Sequence, residues 1–85
     1  MNGDDRRRYR REARILRTLA NESRLRILDR LSQGECCVCE LVDLVGSDQS
    51  TVSRHLAILT DNGIVEGERR GQHIYYRLIA PHVLS

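Results

Sequence analysis

Eighty-five residues make one small domain, with room for a single modest core and none for the deep cleft of an ordinary enzyme. The chain has no Phe or Trp, and its apolar content is aliphatic at helical spacing, so small helices are expected, with a second copy completing the burial. The formal net charge is only +2, yet Arg6, Arg7, Arg8, Arg10, Arg11, Arg14 and Arg17 crowd one end into a local polycation.

No apolar run reaches membrane-spanning length, and Met1-Asn2-Gly3-Asp4-Asp5 lacks the apolar core of a signal peptide, so a cytoplasmic chain is expected. The whole of residues 1–85 reads as one domain, with residues 1–8 as a flexible Arg-rich tail. From Arg7 to about Leu19 a narrow stripe of Ile15, Leu16, Leu19 and Ala20 predicts an Arg-rich helix that packs against a partner. Asn21 is placed to cap a second helix running to about Ser32, with Leu25, Leu28 and Leu31 on one face, Ile27 beside them and Gly34 as its stop. A short third helix, Val38 to Val45, turns Leu41, Leu44 and Val45 inward and ends at Gly46.

Ser47 or Asp48 caps a fourth helix to about Asp61, with Val52, Leu56 and Leu59 at i, i+4, i+7 spacing. Asn62-Gly63 closes it. Ile64 to Glu68 then reads as a strand, Arg69-Arg70-Gly71-Gln72 as a turn, and His73 to Leu78 as the returning strand. Ile74, Tyr76 and Leu78 share one side of that strand and His73, Tyr75 and Arg77 the other. Ala80 to Leu84 predicts a last helical turn with Pro81 at its first position. Four helices and a hairpin in this order form a mainly α winged helix-turn-helix, expected to be homodimeric.

The exposed face of the fourth helix carries Gln49, Ser50, Ser53 and Arg54, side chains suited to base edges in a major groove, with Thr51 and His55 beside them. Gln pairs bidentately with adenine and Arg with guanine, so this set suffices for sequence recognition. His55 borders the buried stripe and reads equally as a structural histidine or as a DNA contact. Arg69 and Arg70, placed at the hairpin tip, are positioned to add phosphate or minor-groove contact. Double-stranded DNA is therefore the expected partner.

All three cysteines lie in Glu35-Cys36-Cys37-Val38-Cys39-Glu40-Leu41. An odd number of thiols without a secretory signal argues for reduced, metal-binding or redox-active cysteines. Thiols at a helix N-terminus sit in its positive end, which favours the thiolate. On a regular helix Cys36 and Cys39 share a face while Cys37 and Cys39 diverge, so one ion held by all three would unwind the turn and disturb the reader helix behind it. Three thiols without a fourth ligand suit pyramidal As(III) or Sb(III) better than tetrahedral zinc; Cd(II) or Pb(II) would need a further ligand. Thiol oxidation or persulfidation is the rival response. Cys36 to Cys39 has the Cys-x-x-Cys spacing, but no thioredoxin-like pattern of strands surrounds it, which argues against a thiol-redox enzyme.

Three motifs together carry a family likeness: the cysteine segment, then Asp48-Gln49-Ser50-Thr51-Val52-Ser53-Arg54-His55-Leu56, then Gly71-Gln72-His73-Ile74-Tyr75-Tyr76-Arg77-Leu78. In that order they resemble the ArsR/SmtB metal-responsive repressors. The resemblance implies a homodimer that occupies a palindromic operator and leaves it when a toxic metal ion binds, with Cys37 and Cys39 matching the family's Cys-Val-Cys metal box. Arsenic-responsive members carry a third cysteine after the pair, at the position of Val42; this chain has Cys36 before the pair instead. The zinc site on a C-terminal helix that some members use has only His82 to match it here.

Overall fold

Three of the four helices among the described residues start at a side chain that accepts an otherwise free amide. Asn2 accepts from the Asp5 amide at 2.8 Å, Asn21 from Arg24 at 3.0 Å and Asp48 from Thr51 at 2.8 Å. The computed structural model describes residues 2–79. It comprises α1 (Gly3–Leu19), α2 (Glu22–Leu31), β1 (Cys36–Cys37), α3 (Val38–Val45), α4 (Gln49–Asp61), β2 (Val65–Arg70) and β3 (His73–Leu78). The expected helical turn from Ala80 onward lies outside the described residues.

α1 begins four residues earlier than its apolar stripe predicts, so most of the supposed tail is helical. The Asn2 cap and the carboxylates of Asp4 and Asp5 in the first turn, which oppose the helix dipole, account for the difference. The inward faces of α2 and α3 also differ from expectation. Ile27 and Leu31 are buried in α2, and Leu41 in α3, whereas Leu25 and Leu44 face outward at 52% and 46% exposure. In α3, Val45 packs on the core as expected, and Val38 and Val42 join it in place of Leu44. The four-residue steps of the 3.6-residue turn, Ile27 to Leu31 and Val38 to Val42, choose these faces.

The core joins Ile27, Leu31, Cys36, Leu41, Val52, Leu56, Leu59 and Val65. Tyr76 and Leu78 close it from the sheet, as the alternation along β3 predicts. The hairpin is longer and its turn tighter than the sequence suggests. Arg69 pairs with Ile74 and Arg70 with His73, leaving only Gly71-Gln72 as the turn, with Gly71 at φ +64°. β1 adds a third antiparallel strand beyond β3, giving the order β1-β3-β2, with Cys36 opposite Tyr76 and Cys37 opposite Tyr75. Gly67 lies under the Tyr76 ring, where a Cβ would stand 2.9 Å from ring carbons. Only glycine fits that position without moving the ring.

Candidate nucleic-acid interface and thiol site

Alternation along β1 sends Cys36 and Cys37 to opposite sides of the sheet. Cys36 turns inward, only 2% exposed, and its thiol lies 3.3 Å from Glu40 Oε2 and 3.5 Å from the Cys37 carbonyl. Burial, followed by the hydrogen bond to Glu40, raises its pKa, with Arg30 opposing weakly. It belongs to the core cluster; Cys37, on the other side of the sheet, is also buried at 5% exposure, and only Cys39 is exposed. Cys37 occupies the cap position of α3 with extended backbone, φ −81° and ψ 156°, and Cys39 lies inside the first turn. This break between strand and helix brings the two together, and they are joined as a disulfide with Cα atoms 5.4 Å apart. The divergence expected of Cys37 and Cys39 on a regular helix does not arise, because Cys37 is not helical. Among the described residues no group of three His, Cys, Asp or Glu stands together for a metal ion, so Cys36 does not converge on the pair.

α4 buries Val52, Leu56 and Leu59 and leaves Gln49, Ser50, Ser53 and Arg54 exposed, as the spacing predicts. Thr51 is partly buried and spends its amide on the Asp48 cap, whose carboxyl it holds below the usual range. His55 is half-buried and accepts at Nδ1 from Arg24 Nε at 3.1 Å. Arg24 also donates to the Thr18 carbonyl at 3.1 Å, so one guanidinium ties α1, α2 and α4 together. Burial first, then the charges of Arg24 and Arg54, lowers the His55 pKa and keeps the ring neutral, as an acceptor must be.

The wing arginines, expected side by side at an exposed tip, part company because both lie in β2. Arg70 points to the outer face, bound to Glu35 at 2.5 and 2.8 Å and to Glu68 at 2.7 Å, over the Tyr75 ring. Arg77 joins that network through Glu66 at 2.9 Å and more loosely through Glu68 and Glu35, each at 3.4 Å. Sequence reasoning missed this lattice. The cross-strand register Glu66 opposite Arg77 signals it once the turn is set at two residues. Arg69 faces the other way, toward α4. With Cys39, Gln49, Ser53, Gln72 and His73 it lines a cleft of about 370 Å³ between the wing, the start of α3 and the start of α4.

A helix-turn-helix with a flanking wing, an exposed polar helix face and a cysteine pair at the preceding helix agrees with what comparison with known proteins finds. The model of the bacterial regulatory protein arsR family matches residues 21–67. The arsenical resistance operon repressor of Escherichia coli K12 is 40% identical over 70 residues, covering 81% of this chain and 59% of that protein. The transcriptional repressor SmtB of Mycobacterium tuberculosis is 44% identical over 69 residues, covering 81% of this chain and 51% of that one. This chain thus spans little more than half the length of either relative. Among solved structures, the homodimeric winged helix-turn-helix DNA-binding domain of a Mycobacterium bovis protein superposes with a TM-score of 0.86 at 35% identity, over 98% of this chain and 77% of that one. The chain belongs to the arsR family of bacterial regulatory proteins, winged-helix transcriptional regulators and not enzymes.

Proposed function

We propose that this chain is a repressor that binds a palindromic operator as a homodimer and releases it when As(III) or Sb(III) binds the thiolates of Cys37 and Cys39. The observation that carries this reading is that Cys39 lines the same cleft as the reader residues Gln49 and Ser53. An ion held by the pair occupies the wall of the DNA-reading surface, so sensing needs no long relay. It also remodels the first turn of α3, which packs on α4. Chelation needs two sulfurs within reach of one ion, and the strand-to-helix junction supplies that juxtaposition. Cys36 would have to leave the core to serve as third ligand, so a water or a small thiol completes the pyramidal shell. Cd(II) and Pb(II) are softer alternatives for the same pair.

Tyr9, Leu16 and Leu25, exposed at 49%, 66% and 52%, give the outer side of α1 and α2 an apolar surface suited to a second copy. The E. coli relative's name ties it to arsenical resistance, and the M. bovis domain is homodimeric and DNA-binding, which supports both halves of the reading. Among the described residues no helix is long and apolar enough to cross a membrane.

The disulfide between Cys37 and Cys39 favours a second reading, in which an oxidant of the peroxide class is the signal. Two thiols and one hydrogen peroxide give one disulfide and two waters, and release of the operator follows. One titration separates the readings. Protein reduced beforehand is bound to a duplex selected from a randomised pool and challenged with As(III), Sb(III), Cd(II), Pb(II) and peroxide. Release by As(III) or Sb(III) at the lowest concentrations is expected, and release by peroxide alone transfers the role to oxidation. No release by any of them overturns both.

A further inference from the structure

The arginines of α1 are not spread around the helix. Arg7, Arg10, Arg14 and Arg17 follow one another at spacings of three or four, Arg11 lies four residues after Arg7 and three before Arg14, and the five line one shallow groove of about 360 Å³. Among the described residues only Arg7 of these five has a carboxylate partner, Asp4 at 3.1 Å, and that pair is highly exposed. Glu12, the acidic residue nearest the middle of the row, is engaged instead by Arg8 at 3.7 Å. Like charges three and four residues apart weaken a helix, so the row is a cost to the free chain that a bound polyanion would relieve.

We infer that this arginine row is a docking ladder for the sugar-phosphate backbone of duplex DNA, separate from the base-reading face of α4. Ten residues of helix rise about 15 Å, and that length matches about four successive phosphates of one strand along the duplex axis. Arginine suits the task because its planar fork donates two hydrogen bonds to a phosphate. The ladder is also held to the reader. Arg24 bonds both the Thr18 carbonyl in the last turn of α1 and His55 in the middle of α4, next to exposed Arg54. Cationic side chains therefore run from the reader helix through a rigid joint onto α1. The choice of DNA over other polyanions rests on the proposed reading of α4; the ladder itself does not.

The test compares wild type, the triple variant Arg10→Gln/Arg11→Gln/Arg14→Gln and the double variant Gln49→Ala/Arg54→Ala. Binding is measured to a mixed-sequence duplex and to single-stranded RNA across a salt series, with solution mass determined for each. The triple variant is expected to bind every duplex more weakly, by about tenfold or more, and its slope of log affinity against log salt should shrink by roughly 0.9 per lost phosphate contact, two to three in all. An unchanged slope overturns the ladder, as does loss confined to RNA, or a loss that only follows a change of solution mass. No duplex binding by wild type at low salt overturns both the ladder's partner and the reading of α4. A loss in the triple variant, with the double variant unaffected even on a duplex selected from a randomised pool, keeps the ladder and removes that reading; the reverse keeps the reading and removes the ladder.

Discussion

Cys36 and Cys39 are three residues apart and have opposite surroundings. One is sealed into the core with its thiol on Glu40 and its pKa pushed up; the other is exposed at the start of α3 and lines the cleft shared with α4. A two-residue strand that ends in a helix produces this sorting. Alternation sends Cys36 and Cys37 to opposite sides of the sheet, both buried, and the helix then brings the exposed Cys39 against Cys37. The same division between a committed side chain and a free one recurs nearby. Arg70 is spent on Glu35 and Glu68 while Arg69 faces the cleft, and His55 is taken by Arg24 while Arg54 is exposed without an acidic partner among the described residues. In the proposed reading the free member of each pair carries the function.

The largest effect should come from breaking the cysteine contrast. Cys37→Ser or Cys39→Ser, each leaving a single sulfur of the pair beside the buried Cys36, should lose release by As(III) throughout the range in which reduced wild type lets go of DNA. Cys36→Ser should release as wild type does. Fluorescence anisotropy of a labelled duplex reads both. An equal loss in Cys36→Ser would show that the buried thiol swings out and that the three act together.

Next in size is the arginine contrast. Arg54→Ala should lose about 1–3 kcal/mol on the preferred duplex and relax selectivity at one base pair, as a base-edge contact does. Arg70→Ala, already tied into the wing, should shift all duplexes alike and by less. Binding to a panel of point-substituted duplexes compares them; a uniform loss for Arg54→Ala would make it a phosphate anchor.

Stability gives a smaller and opposite ranking of the cysteines. Cys36→Ser puts a hydroxyl in place of a buried thiol and should cost about 1–2 kcal/mol, the hydrogen bond to Glu40 recovering part of the desolvation. Cys39→Ser in reducing buffer should stay within about 0.5 kcal/mol of wild type, as exposed sites do. Urea unfolding measures both. A Cys39→Ser cost as large as that of Cys36→Ser would mean that the α3 junction is packed around both sulfurs.

The helix-turn-helix was readable because its evidence is local. Val52, Leu56 and Leu59 mark one face of α4, Asp48 marks its start, and Gly46 stops α3 in the left-handed region at φ 74°. What escaped depends on contacts distant in sequence. Nothing near Cys36 announces a strand, because β1 exists only by pairing with Tyr75 and Tyr76, about forty residues on. Without that strand all three cysteines fall at the start of one helix, with Cys36 and Cys39 on a shared face and Cys37 diverging. The wing was misread for the same reason: Arg69 and Arg70 resemble turn residues until β3 fixes the register and Glu35 arrives from across the sheet. The start of α1 was missed although its cap was present, because the apolar stripe begins later than the hydrogen bonding does.

The smallest effect sharpens the contrast between His55 and Arg54 and comes from pH. The folded state lowers the His55 pKa below its ordinary value of 6.5, through burial, Arg24 and Arg54, so the unfolded chain takes up the proton first as pH falls. The stability that the neutral ring contributes is therefore fully present above 6.5, declines below it, and stops declining once the folded ring is protonated as well. Protonation also turns the Nδ1 acceptor of Arg24 into a donor facing a cation, which loosens the joint between α1 and α4. Unfolding free energies of wild type and His55→Gln, taken on both sides of 6.5, isolate this part from His73 and His82, which both proteins keep. Wild type should lose more stability on acidification than the variant. Parallel curves would mean that the ring is as free as its neighbour Arg54, and that Arg24 holds α1 to α4 without it.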